Sequence, residues 1–169
     1  GTGQFSLAIR GSTFDTFGLD FQADVADIFV DGVVLDQLVD MYNYWQRLTA
    51  AQNASYQIVT LDTLTAETAA LRAAYLLSPV AGLAYEALLR NRTDVVIDNP
   101  SHTVRTIQFA TSAQADGFGL SATAVVDVSG HSLGGHLATA FSRLFSGATG
   151  NVVGVNGLGF VLTNSNVNN

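Results

Sequence analysis

The stretch Ala122-Thr123-Ala124-Val125-Val126-Asp127-Val128-Ser129-Gly130-His131-Ser132-Leu133-Gly134-Gly135-His136-Leu137 opens with a short Val-rich run, Ala122 to Val128, of the kind that forms a buried central parallel strand. Directly behind it Leu133, Leu137, Ala140, Phe141 and Leu144 fall on one helical stripe, and Gly147 is placed to end that helix as its C′ residue. Asn151 to Val155 reads as the next strand. Strand, turn, helix, turn and strand make a βαβ unit, which predicts an α/β architecture with a parallel sheet.

The turn inside that unit, Gly130-His131-Ser132-Leu133-Gly134, fits G-x-S-x-G between a strand and a helix. The spacing has a chemical reason. A nucleophilic serine on a tight, strained turn holds its Oγ clear of the sheet, and flanking glycines let neighbouring backbone come close. The helix N-terminus behind it offers free N–H groups and a positive dipole end where a tetrahedral oxyanion would form.

Val126 to Leu137 resembles the nucleophile elbow of the lipase group of α/β-hydrolases. The opening of the chain extends the likeness: Leu7-Ala8-Ile9-Arg10-Gly11-Ser12 is similar to the strand and RG-Ser/Thr loop before the lid in class 3 (fungal-type) lipases and related bacterial secreted lipases. The resemblance implies an α/β-hydrolase-type, mostly parallel sheet with flanking helices. It also implies Ser132 as nucleophile, with Ser12 and the backbone N–H of Leu133 as oxyanion-hole donors. On this reading residues 1–169 form a single, incomplete α/β-hydrolase domain, residues 13–31 a lid, and residues 33–100 a mainly helical insertion. The lid segment carries Phe14, Phe17, Leu19 and Phe21 interrupted by Asp15 and Asp20. It suits a flap for a lipid–water interface and equally an ordinary surface helix with its aromatics facing the core.

The expected activity is cleavage of carboxylic esters of lipids, as a triacylglycerol lipase or carboxylesterase, through an acyl-enzyme on Ser132 and without cofactor or metal. A phospholipase or thioesterase on the same fold, and a non-catalytic α/β binding module, are the alternatives. The last acidic residue is Asp127 and the last histidine is His136. The triad Asp and His, which follow the serine in this fold, are therefore expected from the remainder of the polypeptide. Within the chain, His102 with Asp94 or Asp98 is a possible dyad, His131 fills the x position of the elbow, His136 reads as a helix-surface or packing residue, and Asp127 as structural.

Composition bounds the partners. A chain of 169 residues suits one domain, and 48% hydrophobic against 12% charged residues excludes disorder. The net charge of −7 comes from 14 acidic residues against seven basic ones, all Arg and scattered from Arg10 to Arg143. That distribution excludes a nucleic-acid surface. The absence of Cys rules out disulfides and thiolate chemistry. No apolar run is long enough for a membrane span, about 18 residues. The Cys-free, Lys-free, acidic composition resembles that of bacterial secreted lipases exported without an N-terminal signal. The series Asp15, Asp20, Asp24, Asp27 and Asp31 lacks the glycine and glutamate spacing of a calcium loop and reads as a solvated acidic face.

From the remaining periodicity a strand is expected over Phe5 to Arg10 and a helix from Asp20 through Phe21, Val25, Ile28 and Phe29, with a strand over Val25 to Val30 as the alternative. A longer helix carries Leu35, Leu38, Val39, Tyr42 and Trp45, followed by a strand from Tyr56 to Leu61. Helices are expected to Leu77 and from Pro79 to Arg90, then strands at Asp94 to Ile97 and Val104 to Phe109. The Ala-rich segment after Phe109 would also suit a helix.

Overall fold

A computed structural model of the chain describes residues 5–10, 35–98, 101–121 and 123–157. Along these run β1 (Phe5–Ile9), α1 (Leu35–Thr49), β2 (Gln57–Thr63), α2 (Thr65–Leu77), α3 (Pro79–Arg90), β3 (Val95–Asp98), β4 (Thr103–Thr111), β5 (Val126–His131), α4 (Leu133–Leu144), a 3-10 turn (Ser146–Ala148) and β6 (Thr149–Val155). The helix expected from Asp20, the segment 13–31 and the acidic series lie outside the described residues, as do Gly11 and Ser12.

The βαβ unit is present: β5, α4 and β6 follow in order, and β5 and β6 are parallel. β1 joins the other side of β5, also parallel, giving a three-stranded sheet in the order β1-β5-β6. A central strand is buried by both neighbours and by helices, and here Val126 and Val128 are almost fully enclosed. α4 covers one face with Leu133, Leu137, Ala138, Ala140 and Phe141, and α1 packs against it through Met41 and Trp45. The Trp45 indole meets the Phe141 ring edge-on, with centroids 5.0 Å apart. Met41 is thus a core residue that the expected stripe on α1 left out, while Tyr42 stacks on Phe145 at 5.6 Å.

The expectation of one mostly parallel sheet is only partly met. β2, β4 and β3 form a second three-stranded sheet, in the order β2-β4-β3, that is antiparallel throughout. The segment 33–100 holds helices α1, α2 and α3 together with strands β2 and β3, which pair with β4, beyond residue 100. α2 and α3 lie on this sheet around Leu71, Leu89, Ile97 and Val104. Thr68 Oγ1 accepts the N–H of Val104 at 2.9 Å, fixing α2 to β4. Ser78 both ends α2 and caps α3, its Oγ accepting the Ala81 N–H at 3.1 Å ahead of Pro79 at the first helical position.

α1 ties the two sheets together. Asn43 donates from Nδ2 to the Val59 carbonyl at 2.8 Å and accepts the Val59 N–H on Oδ1 at 2.7 Å, a reciprocal pair that anchors α1 to β2. The Ala-rich segment after β4 is not helical. It runs extended past the end of α1, where the N–H groups of Phe118, Gly119 and Leu120 donate to the carbonyls of Arg47, Ala50 and Leu48. Those carbonyls are among the groups that a helix C-terminus leaves without partners, and satisfying them outweighs a further turn of helix.

The end of α4 also differs from expectation. Phe145, not Gly147, caps it, with its N–H on the Phe141 carbonyl, and Gly147 sits inside the 3-10 turn. The Phe145 ring packs on Trp45, Phe141 and Tyr42, so the chain is held to a tighter turn by side-chain burial and needs no left-handed glycine.

Candidate active site

Ser132 joins β5 to α4 with φ 55° and ψ −123°, a left-handed backbone conformation that costs a non-glycine residue about 1–3 kcal/mol. Such strain persists only where the surroundings over-determine it. Its N–H donates to the Val155 carbonyl of β6 at 2.9 Å, and its carbonyl accepts the N–H groups of Gly135 at 2.9 Å and His136 at 3.2 Å. The turn is therefore pinned from the neighbouring strand on one side and from the first turn of α4 on the other.

The glycines are demanded by contact. A Cβ on Gly130 would overlap the Gly134 carbonyl and come within 2.7 Å of the Gly135 nitrogen. One on Gly135 would sit 3.1 Å from the Gly157 Cα and 3.2 Å from the Gly130 carbonyl oxygen. Backbone thus passes against backbone, and the helix begins wedged between the ends of β5 and β6. From Leu133 to Ala138 every residue of α4 is buried, while Ser132 is half-exposed and His131 exposed. As the first helical residue, Leu133 has no intrahelical acceptor for its N–H, and the positive end of α4 lies at the serine.

β1 delivers a second segment to the same edge. Its register sets Ile9 beside Gly130 in parallel, so its carboxyl end leaves the sheet next to the turn that holds Ser132. Ser12, the second expected oxyanion donor, follows shortly in sequence and lies outside the described residues. Beside this end of β1 is a groove of about 300 Å³ lined mainly by Leu7, Ile9, Arg10, Met41, Tyr44 and Leu137. The sequence signals for it were split between a strand, α1 and α4, and only packing brings them together.

His136, one turn along α4, is 1% exposed and so belongs to the interior rather than to the helix surface. His102 lies in the turn between β3 and β4 with φ 50° and stacks on Tyr75 at 4.1 Å. Of the two acids near it in sequence, Asp94 binds Arg92 at 2.9 Å and Thr106 at 3.2 Å, and Asp98 faces Arg105 at 3.5 Å. The hydrogen bond from Arg92 holds the Asp94 carboxyl below its usual range, as an ion pair does. Asp127 accepts the Asn151 N–H at 2.8 Å and its Nδ2 at 3.1 Å, stitching β5 to β6.

Among the described residues, no three His, Asp or Glu side chains gather as metal ligands, and no helix is long and apolar enough to cross a membrane. No protein-family model matches the chain, and neither a curated protein nor a solved structure is significantly similar to it.

Proposed function

We propose that Ser132 is the nucleophile of a serine hydrolase that cleaves carboxylic esters of lipids, as a triacylglycerol lipase or carboxylesterase, in an α/β-hydrolase-type domain. The observation that carries this reading is the strained backbone of Ser132 between a parallel strand and a helix N-terminus. A structural turn at this point gains nothing from a serine at positive φ, whereas a nucleophile gains an Oγ lifted clear of the sheet.

In this reading Ser132 Oγ attacks the ester carbonyl carbon as a base takes its proton. The carbonyl oxygen becomes the oxyanion facing the Leu133 N–H at the start of α4, with Ser12 as the second donor. Collapse expels the alcohol, which takes up the proton, and leaves an acyl ester on Ser132 that water then hydrolyses. The apolar groove between β1, α1 and α4 supports an aliphatic acyl group as the substrate's hydrophobic part. His102, His131 and His136 are not given the role of base. The first is turned to Tyr75, the second adjoins the nucleophile in the strained turn, and the third is interior. The reading requires the base and its orienting acid from elsewhere in the polypeptide.

Hydrolysis of fatty acyl p-nitrophenyl esters and of triacylglycerol by the intact protein tests the reaction class. The expected result is turnover that falls about a thousandfold or more in Ser132→Ala. Turnover unchanged by that substitution contradicts the assignment, and a preference for phospholipid or thioester substrates relocates the activity within acyl transfer.

A further inference from the structure

Ser132 is not alone at positive φ on its edge of the parallel sheet. Among the described residues, the non-glycine positions in that region are Asn53, His102, Ser132 and Asn156. Asn53 and His102 lie in the turns ahead of β2 and β4, whereas Ser132 and Asn156 follow directly on the adjacent parallel strands β5 and β6. The register of those strands pairs His131 with Val155, so one step further brings Asn156 abreast of Ser132. Asn156 is held there from both sides. The Val155 carbonyl accepts the Ser132 N–H at 2.9 Å. Gly157 lies against the first turn of α4, where a Cβ on it would come within 3.1 Å of the Gly135 carbonyl carbon and 3.3 Å of the His136 nitrogen. Between these two contacts Asn156 takes φ 51° and is exposed. Asparagine enters the left-handed region more readily than most residues, and glycine more readily still. The backbone alone would therefore be served best by glycine at 156. What asparagine adds is a hydrogen-bond donor and an acceptor on one side chain.

We infer, resting on Ser132 as the nucleophile, that Asn156 binds the alcohol part of the ester and selects acylglycerols over esters of plain alkanols. The strand order β1-β5-β6 divides the site. Ser132 follows the central strand, the apolar groove lined by Leu7, Ile9 and Met41 lies on the β1 side, and Asn156 follows β6 on the other side. An ester whose carbonyl carbon sits at Ser132 and whose acyl chain runs toward β1 sends its alcohol the opposite way, over the end of β6. There Asn156 Nδ2 donates to a hydroxyl or ester oxygen of the glyceryl group, and Oδ1 accepts from a glyceryl hydroxyl. A plain alkyl group offers neither partner, so the discrimination comes from hydrogen bonds that the wrong alcohol leaves unmade.

Glyceryl monobutyrate and propyl butyrate share an acyl group and a three-carbon alcohol and differ only in the glyceryl hydroxyls. The ratio of their kcat/KM values with the intact protein therefore isolates recognition of the alcohol. The wild type is expected to favour the glyceryl ester by about tenfold, and Asn156→Ala to bring the ratio close to one. Asn156→Gly, which suits the backbone at φ 51°, should give the same ratio, so the readout does not depend on the alanine variant folding. A wild-type ratio near one would overturn the inference. So would a ratio kept in both variants while the two rates fall together, since that marks a role common to every ester. A wild type that hydrolyses neither ester and takes up no fluorophosphonate on Ser132 would instead overturn the hydrolase reading itself, and the inference with it.

Discussion

Ser132 shows how a single residue can be legible in sequence. The spacing Gly130-His131-Ser132-Leu133-Gly134 between a Val-rich run and a helical stripe predicts a strained turn, and the backbone adopts φ 55° and ψ −123° there. The prediction succeeds because the constraint that sets the spacing is local, Gly130 meeting the Gly134 and Gly135 backbone a few residues on, while Val155 and Gly157 close the turn from β6 and just beyond it. Strain of this kind has a measurable consequence. Ser132→Gly should be more stable than Ser132→Ala by about 1 kcal/mol, since glycine relieves the left-handed strain and loses part of that gain to its greater unfolded-state entropy. Denaturant midpoints of the two variants provide the comparison. An alanine variant as stable as the glycine variant would mean that the turn holds no strain worth relieving. His136 was less legible, because a helical pattern alone does not say whether a residue one turn past a buried leucine faces the core or the solvent.

Elements were read well where their type depended on local pattern and poorly where it depended on a distant partner. The start of α3 at Pro79 follows from Ser78 and Pro79, whose capping chemistry is written in two adjacent residues. The segment after β4 looked helical by its alanines, yet it is drawn out along the end of α1 by carbonyls more than 60 residues earlier in the chain. The α2–α3 hairpin adds a long-range polar tie that no spacing announced. The Tyr75 hydroxyl donates to Glu86 Oε2 at 2.5 Å, and Arg90 Nε donates to the other carboxylate oxygen at 2.8 Å. Burial pushes the Glu86 carboxyl upward, but the hydrogen bonds from Tyr75 and Arg90, with the charges of Arg90 and His102, outweigh it and hold it below the ordinary glutamate value. A depressed pKa in the folded state stabilises the fold above the unfolded-state value and loses that contribution as pH falls through the folded one. Glu86→Gln should therefore be less stable than wild type at neutral pH, and the two should converge on acidification through that window. Urea unfolding at a series of pH values tests this, and a constant difference down to strongly acidic pH would contradict it.

At the scale of the whole molecule, the parallel sheet was foreseeable and the second sheet was not. A βαβ unit dictates its own pairing, since the crossover helix brings β6 back beside β5. β2 and β4 are separated by two helices and a short strand, and alternation of side chains marks them as strands without saying which partner they choose or in which direction. α1 then fixes the two sheets to each other, through Asn43 on β2 and Trp45 on Phe141. That placement sets Met41 and Tyr44 of α1 against β1 and Leu137 of α4, forming the apolar groove there. Covalent labelling tests whether Ser132, at the carboxyl edge of a parallel sheet and before a helix N-terminus, is a nucleophile. The intact protein treated with a fluorophosphonate probe should carry the label on Ser132 by peptide mapping, with Ser132→Ala unlabelled and Ser129→Ala labelled as wild type. Label that persists in Ser132→Ala, or that maps to another residue, would contradict the account.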